Sequence, residues 1–220
     1  RYKEAEPLAR RLTNEFPELG FGRKILGSVL HALGRLEESL DVQKSTAKLR
    51  PDDHEAHFNL ACELHQQGYL DEAVKSYISA LGLHPKNAIA YSNLGNIFKT
   101  MGLVPEAEIY CRQAIDIQPD MEKAHNNLGN ALHAQGKYAQ AQASYRQALA
   151  LKPDWAEAYN NLAITLKDQG YWNEAKDAYH SALTLKPDWA AAHSNLLYCL
   201  SLDVHTPPKE LHAQHLTFGS

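Results

Sequence analysis

Three sets of residues recur in this chain at a single interval. Pro17, Pro51, Pro85, Pro119, Pro153 and Pro187 stand 34 apart, as do Gly34, Gly68, Gly102, Gly136 and Gly170, and Leu26, Leu60, Leu94, Leu128, Leu162 and Leu196. A strict period of this length constrains the fold more than the total of 220 residues does. The chain must repeat one supersecondary unit, and each unit must bury its apolar face against its neighbours.

Each period reads as two helices. In Glu122–Gly136 the apolar or small residues Ala124, Leu128, Ala131 and Leu132 share one helical face. Gly136 then permits a tight turn, and Tyr138, Ala141, Tyr145, Ala148 and Leu149 line a face of the helix that follows. Pro153 ends that helix. The spacing predicts helices at 20–33, 36–50, 54–67, 70–83, 88–101, 104–117, 122–135, 138–151, 156–169, 172–185 and 190–202, and no strand. Asp52, Asp120, Asp154 and Asp188 follow the prolines, where a carboxylate suits the next helix dipole. Ala73, Ala107, Ala141 and Ala175 hold one repeat position and Ala80, Ala114, Ala148 and Ala182 another, so backbones can approach closely. The expected fold is all-α, a right-handed superhelical solenoid of helix-turn-helix units with a concave inner face.

These residues carry a resemblance. Tyr91-x2-Leu94-Gly95-x2-Phe98, Ala107-x3-Cys111 and Pro119 resemble the tetratricopeptide pattern W-x2-L-G-x2-Y…A-x3-F…P, and Tyr159, Leu162, Ala163, Leu166, Ala175, Tyr179 and Pro187 follow it again. On that reading residues 1–19 are the second helix of a truncated repeat, as if the chain were cut from a longer one. Five repeats follow at 20–53, 54–87, 88–121, 122–155 and 156–189, then the first helix of a partial sixth at 190–205 and a capping or linker helix at 206–220. The repeat at 20–53 is degenerate: Ser39, Gln43 and Thr46 replace the expected Ala, aromatic and Ala, and looser packing is expected there.

Catalytic signatures are missing from the sequence: no G-x-S-x-G, no phosphate-binding glycine loop and no H-E-x-x-H. His57, His125 and His193 share one repeat position with Tyr91 and Tyr159. They sit two repeats apart, about 16–20 Å at one interhelical spacing per repeat. Metal–nitrogen bonds are about 2 Å, so they are read as flat packing side chains and no metal or cofactor is expected. With 22 Lys+Arg against 26 Asp+Glu, nothing points to nucleic acid. No apolar run is long enough to span a membrane. Cys62, Cys111 and Cys199 show no framework spacing, which suits free thiols in a reducing, cytoplasmic setting.

The polar combs point to binding. Asn59, Asn93, Asn127, Asn161 and Asn195 recur at 34, although Asn is an indifferent helix former. Asn96, Asn126, Asn130 and Asn160 enrich the same region. A side-chain amide offers donors and an acceptor. Repeats about 8–10 Å apart match about three residues of extended chain at roughly 3.3 Å each. One reading is a groove that holds the backbone of an extended protein segment, including Ser/Thr-containing ones; the other is that the amides bond the neighbouring repeat. His31, His65, Lys99, His133 and Lys167 form a second comb at the end of each first helix. They either complement the helix dipole or make a basic strip favouring acidic segments. In chaperone-binding tetratricopeptide proteins, Lys and Arg grip a terminal carboxylate. Here Asn127 and Asn161 occupy the positions of that Arg, and Lys123 alone makes no clamp.

The end of the chain carries a second resemblance. Ser194-Asn195-Leu196-Leu197, Pro207-Pro208 and His215-Leu216-Thr217-Phe218-Gly219 resemble the junction in bacterial O-linked N-acetylglucosamine transferases and their Spindly-like relatives. Gln214 stands where that family has an acidic residue. The resemblance implies that His215 lies at an active-site entrance. It also implies that a uridine-diphosphate-sugar site belongs to lobes after Ser220, so that this chain is not itself an enzyme. The function expected from it is the substrate-recruiting arm of a protein O-glycosyltransferase. The alternative is a stand-alone scaffold or adaptor.

Overall fold

The computed structural model describes residues 2–202, which form twelve α-helices and, among the described residues, no strand. The chain divides into two compact units, Arg1–Ile97 and Phe98–Ser220. The first contains α1 (Tyr2–Glu15), α2 (Phe21–Ala32), α3 (Leu36–Leu49), α4 (His54–Gln66), α5 (Leu70–Leu83) and most of α6 (Ala88–Thr100). The second contains α7 (Val104–Ile117), α8 (Glu122–Ala134), α9 (Tyr138–Leu151), α10 (Ala156–Asp168), α11 (Trp172–Leu185) and α12 (Ala190–Leu202). The observed ends of α2 to α12 fall within one residue of the expected ones.

The turns inside each pair are set by glycine. Gly34, Gly68, Gly102, Gly136 and Gly170 all adopt positive φ, between 72° and 83°. At Gly136 the amide donates to the His133 carbonyl at 2.9 Å, and the next amide, of Lys137, reaches back to the Leu132 carbonyl at 2.9 Å. This closes α8 with two of its otherwise orphaned carbonyls satisfied. A side chain at Gly136 meets left-handed strain that only glycine avoids.

The carboxylates after the prolines do not cap the helices. Asp52, Asp120, Asp154 and Asp188 are exposed turn residues. The proline turn uses one residue more, so the cap falls on the next position. Asp53 Oδ1 accepts from the amides of Glu55 at 3.0 Å and Ala56 at 3.2 Å, and Asn87 Oδ1 accepts from Ala90 at 3.0 Å. Met121 and Trp155 hold that position before α8 and α10 and supply no side-chain cap.

In the second unit each helix packs on the next in sequence, and the first helices α8, α10 and α12 also touch one another directly. Ala107, Ala114, Ala141, Ala148, Ala175 and Ala182 are fully buried, with Leu128, Tyr145, Leu162 and Tyr179 filling the space around them. The alanines thus lie at the close approaches, as their repetition suggests. Gly129 makes one approach closer still: a Cβ there would stand 2.6 Å from the Tyr145 ring.

In the repeat at 20–53 the three replaced positions are buried. Ser39 and Thr46 are wholly buried and Gln43 is 4% exposed. The hydroxyls of Ser39 and Thr46 find local partners, whereas Gln43 Oε1 has none. Thr46 Oγ1 donates to the Val42 carbonyl at 2.6 Å. Ser39 Oγ lies 3.0 Å from the Gly27 carbonyl and 2.7 Å from Glu63 Oε2. The repeat replaces an apolar contact layer with a hydrogen-bonded one, because α4 supplies a buried carboxylate opposite it.

Candidate functional site

The asparagines of the second unit form a ladder between first helices. Asn161 Nδ2 on α10 donates to Asn130 Oδ1 at 3.2 Å and to Asn126 Oδ1 at 3.3 Å, both on α8. Asn195 Nδ2 on α12 repeats the step to Asn160 Oδ1 at 3.2 Å. Tyr145 OH donates to Asn130 Oδ1 at 2.8 Å and so ties the ladder to the second-helix row. Asn126 and Asn160 are buried, while Asn127, Asn130, Asn161 and Asn195 are half-buried. Asn161 and Asn195 therefore bond the neighbouring repeat, as the second of the two readings open to the comb expects. Burial pushes the Tyr145 phenol well above its usual range, so it stays a neutral donor.

The ladder floors a cavity of about 290 Å³. Its lining includes Lys99, Asn130, His133, Tyr145, Asn161 and Ile164, so three residues of the two polar combs, with Asn130 beside them, converge on one opening. Two carboxamides and a phenol at its base can hydrogen-bond a peptide group, and Ile164 offers apolar contact.

The basic comb carries its own counter-charges. His133 Nε2 lies 3.0 Å from Asp168 Oδ2, and Lys167 Nζ lies 2.6 Å from Asp168 Oδ1. Burial works to raise the Asp168 carboxyl, but the bonds from Lys167 and His133 outweigh it and hold the group below the usual range. Lys167 also stands 5.5 Å over the Tyr198 ring. In the first unit His31 Nδ1 meets Glu63 Oε2 at 2.9 Å. His65 is half-buried against the Tyr77 ring, and burial lowers its pKa. Lys99 is exposed at the cavity mouth.

The remaining asparagines belong to the first unit. Asn93 Nδ2 donates to Tyr77 OH at 2.9 Å, Asn96 is half-buried, and Asn59 lines two smaller cavities. His215 lies outside the described residues.

The histidines at the shared aromatic position have a structural task that spacing did not reveal. His57, His125 and His193 each set Nε2 at 2.8–3.0 Å from the carbonyl of Pro51, Pro119 and Pro187 respectively. A carbonyl only accepts, so Nε2 carries the proton and each ring pins the turn before its own helix. Among the described residues no His, Cys, Asp and Glu group is arranged to hold a metal. No described helix is long and apolar enough to cross a membrane. Cys62, Cys111 and Cys199 are not joined in disulfides, and burial pushes Cys111 up to about 12.

Sequence reasoning also missed Glu108. Its carboxylate takes Lys137 Nζ at 2.8 Å, Gln135 Nε2 at 2.8 Å and Arg112 on its other oxygen at 2.8 Å. These donors, Lys137 foremost, hold its pKa at about 2. A patterning signal did exist, since Glu108 and Arg112 are one helical turn apart.

Comparison with known families agrees with the architecture. Models described as "TPR repeat" match residues 63–102 and 129–170, and models described as "Tetratricopeptide repeat" match 88–121, 110–143 and 156–189. Together they run from 63 to 189, more than half of the chain. Among curated proteins no sequence match is found. A chain of the APC/C hetero-tetramer Cut9-Hcn1 superposes with TM-score 0.81 at 18% identity, over 99% of this chain and 43% of that one. The present chain thus spans less than half of that relative. PilF of Pseudomonas aeruginosa superposes with TM-score 0.77 at 18% identity, over 92% of this chain and 90% of that one. YrrB, described as a TPR protein with an unusual peptide-binding site, gives 0.70 at 18% identity, over 88% and 98%. At these identities the likeness is one of fold.

Proposed function

The chain belongs to the tetratricopeptide-repeat family, and on that footing we propose that it is a protein-binding scaffold or adaptor module that holds extended segments of partner proteins. The observation that carries the reading is the cavity over the asparagine ladder, where Lys99, Asn130, His133 and Asn161 meet. YrrB, of the same fold, is described as having a peptide-binding site, which supports looking for one here. The ladder is itself hydrogen-bonded, so the cavity is preorganised, and a peptide group entering it meets fixed polar atoms rather than mobile ones. The finer reading, an arm that recruits Ser/Thr substrates to an attached sugar transferase, draws support only from the tract at 194–219. Most of that tract lies outside the described residues. The family match and the cavity support the scaffold reading without it.

The test is a two-dimensional amide NMR titration with short capped extended peptides, Ser/Thr-rich and acidic, read beside fluorescence anisotropy. The reading expects shifts centred on the side-chain amides of Asn130 and Asn161, and weaker binding in Lys99→Glu for the acidic peptides. Peptides that bind nowhere, or only far from this cavity, overturn it.

A further inference from the structure

The repeat position held by Tyr77, Cys111, Tyr145 and Tyr179 is Gln43 in the first unit. The Tyr77, Tyr145 and Tyr179 rings are buried, and the hydroxyls of Tyr77 and Tyr145 are hydrogen-bonded. Tyr77 OH receives Asn93 Nδ2 at 2.9 Å and lies 3.3 Å from Cys62 Sγ. One period earlier the same two partner positions are Asn59 and Ser28. Both line a cavity of about 180 Å³ whose other walls include His31, Gln43, Cys62 and Glu63. The cavity over the asparagine ladder is lined at the same repeat positions, with Asn130, His133, Tyr145, Asn161 and Ile164 in place of Ser28, His31, Gln43, Asn59 and Cys62, so Gln43 stands where the tyrosine stands.

What sets the first-unit cavity apart is its chemistry. Glu63 is 4% exposed, yet the same repeat position is Ile97, Ala131, Thr165 and Cys199 elsewhere. Its carboxylate takes Ser39 Oγ at 2.7 Å and Gln67 Nε2 at 2.6 Å, and His31 Nδ1 lies 2.9 Å away. An ionised carboxylate has about four lone-pair sites, so one acceptor position remains. Gln43 lines the cavity, is 4% exposed, and its Oε1 has no hydrogen-bond partner. Gly27 makes room for this amide, since a Cβ there would meet Gln43 Nε2 at 2.4 Å. A buried carboxylate and an unpartnered amide oxygen in the walls of one slot call for a group rich in donors. A guanidinium is that group. A second cavity of about 290 Å³ shares Ser28 and Asn59 and adds Tyr2, Phe21, Ile25 and Val29 beside the ion pair of Lys24 and Glu55, a mixed seat for a neighbouring residue.

We propose that this first-unit cavity is a specificity pocket for an arginine side chain on a bound protein segment. The proposal rests on the protein-binding reading above and adds the residue that the first unit selects. Glu63 and Gln43 receive the guanidinium N–H groups, and Asn59 and Ser28 hold the edge of the slot.

The test uses the whole chain and three short capped Ser/Thr peptides with arginine, citrulline or tyrosine at the centre. Citrulline keeps the shape and removes the charge. The arginine peptide should bind about ten-fold or more tightly than the citrulline peptide, as a charge-assisted buried pair requires. It should also shift the Gln43 side-chain amide in NMR. Glu63→Gln should shrink that preference to about two-fold or less. Gln43→Tyr restores the tyrosine of the other repeats against Gly27, as Tyr145 sits on Gly129. It should keep the fold by circular dichroism while losing the arginine preference. Equal affinity for the arginine and citrulline peptides, tighter binding of the tyrosine peptide, or a preference that survives both variants overturns the pocket. If these outcomes come with peptide shifts at Asn130 and Asn161, the protein-binding reading stands and only the pocket falls. Absence of binding by every peptide sinks both.

Discussion

Replacing Asn161 by alanine separates a structural ladder from a ligand-binding comb. The wild-type amide donates to Asn130 at 3.2 Å and Asn126 at 3.3 Å, at the long end of the useful range. Asn130 keeps its bond from Tyr145 OH at 2.8 Å when Asn161 is truncated. Asn126, 7% exposed, loses the donor that reaches its Oδ1. A buried acceptor left without a donor costs about 1–3 kcal/mol. Alanine returns at most about 0.7 kcal/mol of helix propensity. The net expectation is a loss of about 1–2 kcal/mol, which for a chain of this size lowers the thermal midpoint by about 2–8 °C. Asn161→Asp should cost more, because it sets a charged acceptor against two carbonyl oxygens. The assay is a circular-dichroism melt of both variants, paired with peptide affinity measured well below the midpoint. An Asn161→Ala protein that melts like wild type but binds peptide ten-fold less well would refute the ladder and restore the comb as a direct ligand contact.

Two further outcomes follow from the packing and the charges. Gly129→Ala places a methyl 2.6 Å from the Tyr145 ring, which is itself buried. Urea unfolding should show a loss of about 1–3 kcal/mol, with a similar cost for Ala141→Leu and almost none for the exposed Ala139→Leu; an unchanged midpoint in the first two would refute the close-packing argument. Glu108 is held at about 2 against 4.5 for an ordinary glutamate. A carboxyl depressed in the folded state contributes stability that is fully present above about pH 4.5 and fades as pH falls towards 2. Glu108→Gln should therefore lower the midpoint at pH 7 but converge with wild type near pH 2, and a constant difference across that range would show that the charge is not what Glu108 supplies.

The period, the helix bounds and the turns were legible in the chain because each is a local event. A glycine at positive φ or a proline after a helix acts within a few residues, so Gly136 and Pro153 mark boundaries without knowledge of neighbours. The buried alanines were legible for a related reason: the same position in every repeat meets the same environment. What the combs could not show is which polar groups face each other across repeats. Asn161 reaches Asn126 and Asn130, 35 and 31 residues away rather than 34, and that offset is set by how α10 lies on α8. The basic comb likewise hid Asp168, which draws His133 and Lys167 to one carboxylate. Ser39, Gln43 and Thr46 looked like decay of the pattern when taken in their own repeat. Only the packing of α3 on α4 brings Glu63 to Ser39 and makes the layer a hydrogen-bonded one. Local conformation follows from the residue and its near neighbours, whereas the fate of a buried polar atom depends on the partner that tertiary packing places within about 3 Å of it.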